Sequence, residues 1–214
     1  MIPLCFYFDK YRVSVIFFIV FYNLKRKNSM TNSSKKEKKI NRLLWLDLEM
    51  TGLDVNKEVI IECAAIVTDL DLNVLESYEQ IVQQANIYLN NMDEWNKKHH
   101  GDSGLIAKVP FGKPPHLVEE DLIKLIDRHW IQEEDRRSVI CGNSIAQDRL
   151  FITKYWPNLE RKLHYRMMDV SSWKLMFFQK FKVKFDKLEK HRALDDIHES
   201  INELKHYLQF IHIN

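Results

Sequence analysis

This sequence has too little cysteine for a disulfide framework. Only Cys5, Cys63 and Cys141 are present, and the latter two sit in apolar, strand-like runs, which suits a reducing compartment. A zinc centre is also missing from the pattern, because the cysteines are far apart and His99-His100 lacks partners at ligand spacing. No strong excess of one charge exists either. The formal net charge is +2, concentrated between Lys25 and Lys39, while the remainder is close to balanced. Long duplex nucleic acid needs a broader positive surface, so a small or single-stranded ligand fits better. The apolar run Val13 to Tyr22 has ten residues, and crossing a bilayer takes about twenty. What is present, in 214 residues, is enough chain for one domain with helices laid on a sheet.

Residues 1–40 differ from the rest and are expected to form a variable leader, either dispensable or the result of a start placed upstream of Met30. Lys10 and Arg12 precede the apolar run, Lys25, Arg26 and Lys27 follow it, and a polar low-complexity stretch runs on to Lys39. No small-residue cleavage site follows, and Asp9 with few arginines matches a transit peptide poorly. A cytoplasmic location without a stable membrane partner is therefore expected, with a mitochondrial destination as the alternative. Exposed on a soluble protein, the run would be an aggregation hazard.

Residues 41–214 read as a compact unit. Strands are expected at Arg42 to Glu49, Val59 to Thr68 and Val74 to Val82, the last two joined by the turn-like Asp69 to Asn73 as an antiparallel hairpin. Gln83 to Pro115 is polar and irregular, with short helices. Leu117 to Trp130 is an amphipathic helix with Val118, Leu122, Leu125 and Ile126 on one side. A strand at Ser138 to Gly142 precedes a helix from Ile145 to Trp156 that Pro157 stops. A last helix opening at His191 repeats apolar residues at Leu194, Ile197, Ile201, Leu204, Leu208 and Ile211, a stripe for packing on a sheet. The order implies an α/β domain with a mixed sheet.

Asp47 and Glu49 end the first strand, just before Gly52 turns the chain. Two residues apart on a strand, they share one face, and such close carboxylates become reasonable when a divalent cation neutralises them. Asp148 lies beyond the strand at 138–142, and Asp195 and Asp196 lie in the opening of the last helix. These neighbours point about 100 degrees apart, so Asp195 is the weakest candidate of the group. Carboxylates from several elements suit magnesium, which demands octahedral oxygen ligation. Two such ions roughly 4 Å apart supply hydroxide and charge neutralisation for phosphodiester hydrolysis. Because an unperturbed histidine, with a pKa of about 6.5, is neutral and basic near working pH, His191 is a candidate acceptor of the attacking water's proton.

Four segments carry a resemblance: Leu46-Asp47-Leu48-Glu49-Met50-Thr51-Gly52-Leu53; Cys141-Gly142-Asn143-Ser144-Ile145-Ala146-Gln147-Asp148-Arg149; His164-Tyr165-Arg166 with Asp169-Val170-Ser171; and His191-Arg192-Ala193-Leu194-Asp195-Asp196-Ile197. In this order, from about Asn41 to Phe210, the chain resembles the oligoribonucleases. These are DEDDh 3'-to-5' exonucleases of ribonuclease H-like fold. The resemblance implies a homodimer that removes nucleotides from the 3' ends of very short RNA, dinucleotides above all. It also implies two Mg2+ or Mn2+ ions per active site. Asp47 would bridge the ions, Glu49 and Asp196 would complete the nucleophile-side ion, and Asp148 would hold the second. Asp196 is preferred to Asp195 because it closes the family spacing that begins at His191. Leu53 and His100 would wedge and stack on the bases, with Trp95 matching the aromatic of the same loop. From residue type alone, a core role for Trp95 fits as well. Ser144, Ser171 and Arg166 would surround the 5' phosphate, and Tyr165 would come from the partner subunit.

Three other readings stand beside this one. A related exonuclease would trim longer RNA or DNA ends; a binding module would hold RNA ends without cutting; a scaffold would carry merely solvated acids. The binding module would lack a ligand or the base, and all five residues are present. The leader has no bacterial counterpart, and Phe178 to Lys190 is shorter than the family usually has, which would alter the pocket rim without removing a ligand.

Overall fold

A computed structural model describes residues 40–130, 137–186 and 192–211. The expected leader and His191 lie outside the described residues. Five strands form one mixed sheet: β1 (Arg42–Met50), β2 (Ile60–Asp69), β3 (Val74–Ile81), β4 (Ser138–Gly142) and β5 (Leu163–Asp169), in the spatial order β3-β2-β1-β4-β5. The β1–β2 and β2–β3 pairs are antiparallel, whereas β1–β4 and β4–β5 are parallel. The hairpin expected between β2 and β3 is present, closed by Asp69, whose carboxylate accepts from the backbone N–H of Asn73 at 2.9 Å. Three short helices follow β3: α1 (Asn86–Asn91), α2 (Glu94–Asp102) and α3 (Leu105–Lys108). Then come α4 (Pro115–His129), α5 (Ile145–Tyr155), α6 (Pro157–Glu160), α7 (Val170–Met176) and α8 (Ala193–Leu208), in alternation with the last two strands.

Alternation along β1 decides which helix each residue meets. Leu44, Leu46 and Leu48 join the layer made with Val118, Leu122, Leu125 and Ile126 of α4 and Phe151 and Ile152 of α5. Leu43 and Trp45 face the opposite layer, with Ala193, Ile197, Ile201, Leu204 and Tyr207 of α8. Asp47 and Glu49 continue this second row, so the strand's own period aims them at the face α8 covers. A third, smaller core of Val59, Ile61, Leu89, Met92, Leu105 and Val109 holds the irregular stretch against the start of β2.

Two expectations about elements are revised. The final helix begins at Ala193 and ends at Leu208, and Leu208 and Ile211 are exposed rather than packed on the sheet, Ile211 lying beyond the helix. Strand β5 and helix α7 were not evident in the pattern. Residues 164–167 of β5 are half-buried or exposed, as on an edge strand, and give no clean apolar alternation. Among the described residues, no helix is long and apolar enough to cross a membrane.

Candidate active site

Strand β1 delivers Asp47 and Glu49, and the first turn of α8 delivers Asp196. One carboxylate oxygen from each lies within 4.8 Å of the others, and all three residues are half-buried. Asp195 is not part of this group. The extended backbone at Arg192 and the helical backbone from Ala193 set Asp196 on the side of the first turn that meets Asp47 and Glu49, and its N–H donates to the Arg192 carbonyl at 2.9 Å.

Asp148, on the first turn of α5, stands apart from the three. It is buried, and one of its oxygens accepts from the backbone N–H of Leu48 at 3.0 Å, which ties α5 to β1 between the two β1 acids. Burial raises the Asp148 carboxyl well above the ordinary range, with Asp169 adding and the Leu48 N–H opposing. Glu49 is pushed up to about 8, first by burial and then by Asp196, Glu62 and Asp148, against the pull of Arg192. Carboxylates crowded this closely, with Glu49 pushed upward, suit a cation site. Among the described residues the donor set is all oxygen, which suits a hard divalent ion.

Beside the acids lies an open cavity of about 180 Å³, whose wall includes Glu49, Leu53, Trp95 and His100. Leu53 and Trp95 are strongly exposed, which removes a core role for Trp95; its ring stacks on His99 at 3.8 Å between centroids. His100 differs. It is buried, with Nε2 3.0 Å from the Met50 carbonyl and Nδ1 4.0 Å from a Glu49 oxygen, so its ring is fixed in the wall. The Leu53 loop is fastened to α5: Gln147 Nε2 donates to the Leu53 carbonyl at 2.8 Å, and the Tyr155 hydroxyl donates to the Glu58 carbonyl at 2.6 Å. Gln147 had no role assigned from sequence, although it falls inside a quoted motif.

At the ends of β4 and β5 the two serines meet. Ser144, in the left-handed region at φ 51°, has its Oγ 3.3 Å from Ser171 Oγ. Asp169 Oδ1 accepts the backbone N–H groups of both Ser144 and Ser171, at 3.0 and 2.8 Å. The Ser144 N–H also donates to Ser171 Oγ at 2.9 Å. One hydroxyl donates to the other, so the proton of the second is what this pair offers to a ligand. Asp169, unassigned from sequence, caps α7, and an aspartate between a strand and a helix was the available signal. Tyr165 and Arg166 are exposed on β5, with the guanidinium carbon 5.2 Å from the ring centroid. Tyr165 lies four positions before Asp169, about 13 Å along the strand, so this ring stands away from Ser144 and Ser171.

A mixed sheet between helical layers, with three carboxylates gathered where β1 ends, has the makings of a metal-dependent enzyme of ribonuclease H-like architecture. Residues 44–204 match the RNase_T family, described as Exonuclease. The chain is 47% identical over 173 residues to the oligoribonuclease of Ectopseudomonas mendocina, covering 79% of this chain and 95% of that protein. It is 46% identical over 176 residues to that of Bordetella pertussis, covering 80% and 96%. In three dimensions, Escherichia coli exonuclease I bound to single-stranded DNA superposes with a TM-score of 0.62 at 14% identity, over 78% of this chain and 40% of that one, a likeness of fold. The chain belongs to the oligoribonuclease family.

Proposed function

We infer that this protein is a 3'-to-5' exoribonuclease that hydrolyses short oligoribonucleotides, dinucleotides above all, to 5'-mononucleotides. The observation that carries the reading is the convergence of Asp47, Glu49 and Asp196 within 4.8 Å beside a cavity whose rim presents Leu53 and Trp95. Asp47, Glu49 and Asp196, with Asp148, would hold two Mg2+ or Mn2+ ions. Bound there, such ions supply a hydroxide near neutral pH and positive charge beside the phosphate oxygens. The protein's own groups do the rest. Leu53 wedges against the terminal bases, and Trp95 and His100 flank them, His100 as a fixed wall. The Ser144–Ser171 pair donates a hydroxyl hydrogen bond to the 5' phosphate, and His191 takes the proton of the attacking water.

The protein acts as a homodimer in which Tyr165 and Arg166 close the neighbouring subunit's site; their exposure on the edge strand supports this. A pocket closed at the 5' phosphate disfavours longer chains, which would have to extend where those groups stand. Residues 41–214 form the working domain of a cytoplasmic enzyme, with mitochondria as the alternative site.

The test is hydrolysis of a dinucleotide with Mg2+ or Mn2+, compared with strands of about five and twenty nucleotides. Rates should fall steeply with length, and a chelator should abolish them. Asp47→Ala should reduce the rate by several orders of magnitude in a folded protein, since a ligand is lost. Full activity in that variant would refute the mechanism. Equal rates at all lengths would favour an exonuclease of longer ends.

A further inference from the structure

Glu62 is fully buried and stands directly across β2 from Glu49, its register partner on β1. Like charges in directly opposed positions repel, so a further acid beside a three-carboxylate group needs a reason. Its partner is Arg192. The guanidinium grips Glu62 in two-pronged fashion, Nη2 to Oε1 at 2.6 Å and Nε to Oε2 at 3.1 Å, and Nη2 also reaches Glu79 of β3 at 3.2 Å.

Arg192 is the residue that opens α8, where no side chain of its own segment caps the helix. Glu62 takes that place from across the sheet, with Oε2 3.4 Å from the N–H of Ala193. The next link is backbone: the Arg192 carbonyl accepts from the N–H of Asp196 at 2.9 Å. A continuous chain of contacts therefore runs from Glu62, the neighbour of Glu49, through Arg192, to the backbone of Asp196, the residue whose carboxylate α8 contributes.

We propose that the Glu62–Arg192 pair is a positioning device that sets where Asp196 stands relative to Asp47 and Glu49, and thereby the affinity of this group for a divalent cation. The inference rests on the metal-dependent reading above and deepens it. A single-point lysine would keep the charge but lose the fork, and with it the fixed direction of the helix start.

The experiment is calorimetric titration of the full chain with Mn2+ alone, for the parent protein, Arg192→Lys and the double variant Glu62→Met/Arg192→Met. Exchanging a buried ion pair for apolar groups of similar volume is often neutral for folding, so the double variant satisfies a merely structural role. Positioning instead predicts that Mn2+ binding weakens by roughly tenfold or more in both variants, the range seen when groups that orient metal ligands are lost. With a dinucleotide, Arg192→Lys should show reduced kcat that excess Mn2+ restores, at unchanged KM. Parent-like Mn2+ affinity in the double variant would overturn the proposal; should that variant not fold, parent-like affinity in Arg192→Lys would do so. A parent protein that binds no Mn2+ refutes the metal-dependent reading and this inference with it. Failure of the inference alone leaves the parent's binding intact.

Discussion

Replacing Glu49 with glutamine should stabilise the metal-free protein at neutral pH while removing its metal response. The Glu49 carboxyl is pushed from an ordinary value of 4.5 up to about 8 by burial and by Asp196, Glu62 and Asp148. A carboxyl whose pKa rises on folding is protonated in both states below about pH 4.5 and costs nothing there. As pH rises toward 8, the unfolded chain gives up its proton and the folded one keeps it, so stability falls. At pH 7 the two values correspond to a cost on the order of 3 kcal/mol, an upper figure because charge relaxation in the real site reduces it. Glutamine keeps nearly the same shape without the charge. For a domain of this size the gain should raise the melting temperature by roughly 5–10 °C at pH 7 and by little near pH 4.5. The assay is thermal unfolding in chelator across that window, repeated with Mn2+. Mn2+ should raise the parent's melting temperature more at pH 8 than at pH 6, since binding must displace the retained proton. A metal-free parent whose stability does not fall between pH 5 and 8, or a glutamine variant less stable than the parent at pH 7, would refute the reasoning.

Two further outcomes test the pocket and the assembly. Gln147→Ala removes the 2.8 Å bond that fastens Leu53 to α5, and about 1 kcal/mol lost from base positioning should raise KM for a dinucleotide about fivefold with kcat nearly unchanged; an equal loss in kcat would place Gln147 in the chemistry instead. Mixing Asp47→Ala with Tyr165→Ala, each inactive alone, should restore activity after subunit exchange, because each heterodimer carries one site with its own acids and the partner's tyrosine. Demonstrated exchange without recovery would remove Tyr165 from the neighbouring site.

What was legible in the sequence follows from short-range periodicity. Two-residue spacing put Asp47 and Glu49 on one face, and the steps of three and four from Leu194 marked a helix packed on the sheet, though not the side it takes. The choice of Asp196 over Asp195 agrees with the geometry, since only Asp196 joins the carboxylate group. Strand β5 was not legible, because an edge strand with exposed Tyr165, Arg166 and Met167 has no buried face to enforce alternation. Trp95 and His100, five residues apart, also end in opposite environments. Trp95 lies on the outer side of α2 against His99, whereas His100 turns inward to the Met50 carbonyl, a contact between segments fifty residues apart that no local pattern encodes.

The strand directions explain why these distant segments meet where they do. Parallel strands β1, β4 and β5 all end at one edge of the sheet, and there the chain sets Glu49, Ser144 and Asp169. Ligands of open α/β sheets collect outside the carboxyl ends of parallel strands, where loops and helix starts are free to offer donors. Strand β2 runs the other way, so its beginning rather than its end lies at this edge, which brings Glu62 beside Glu49. An acid at the start of an antiparallel neighbour therefore reaches the functional edge without belonging to any of the segments that end there. With Arg192 holding it, Glu62 adds to the charge that pushes Glu49 upward while fixing the turn that carries Asp196. The same buried charge that makes the metal-free site costly thus supplies both the demand for a cation and the rigidity that shapes its cradle.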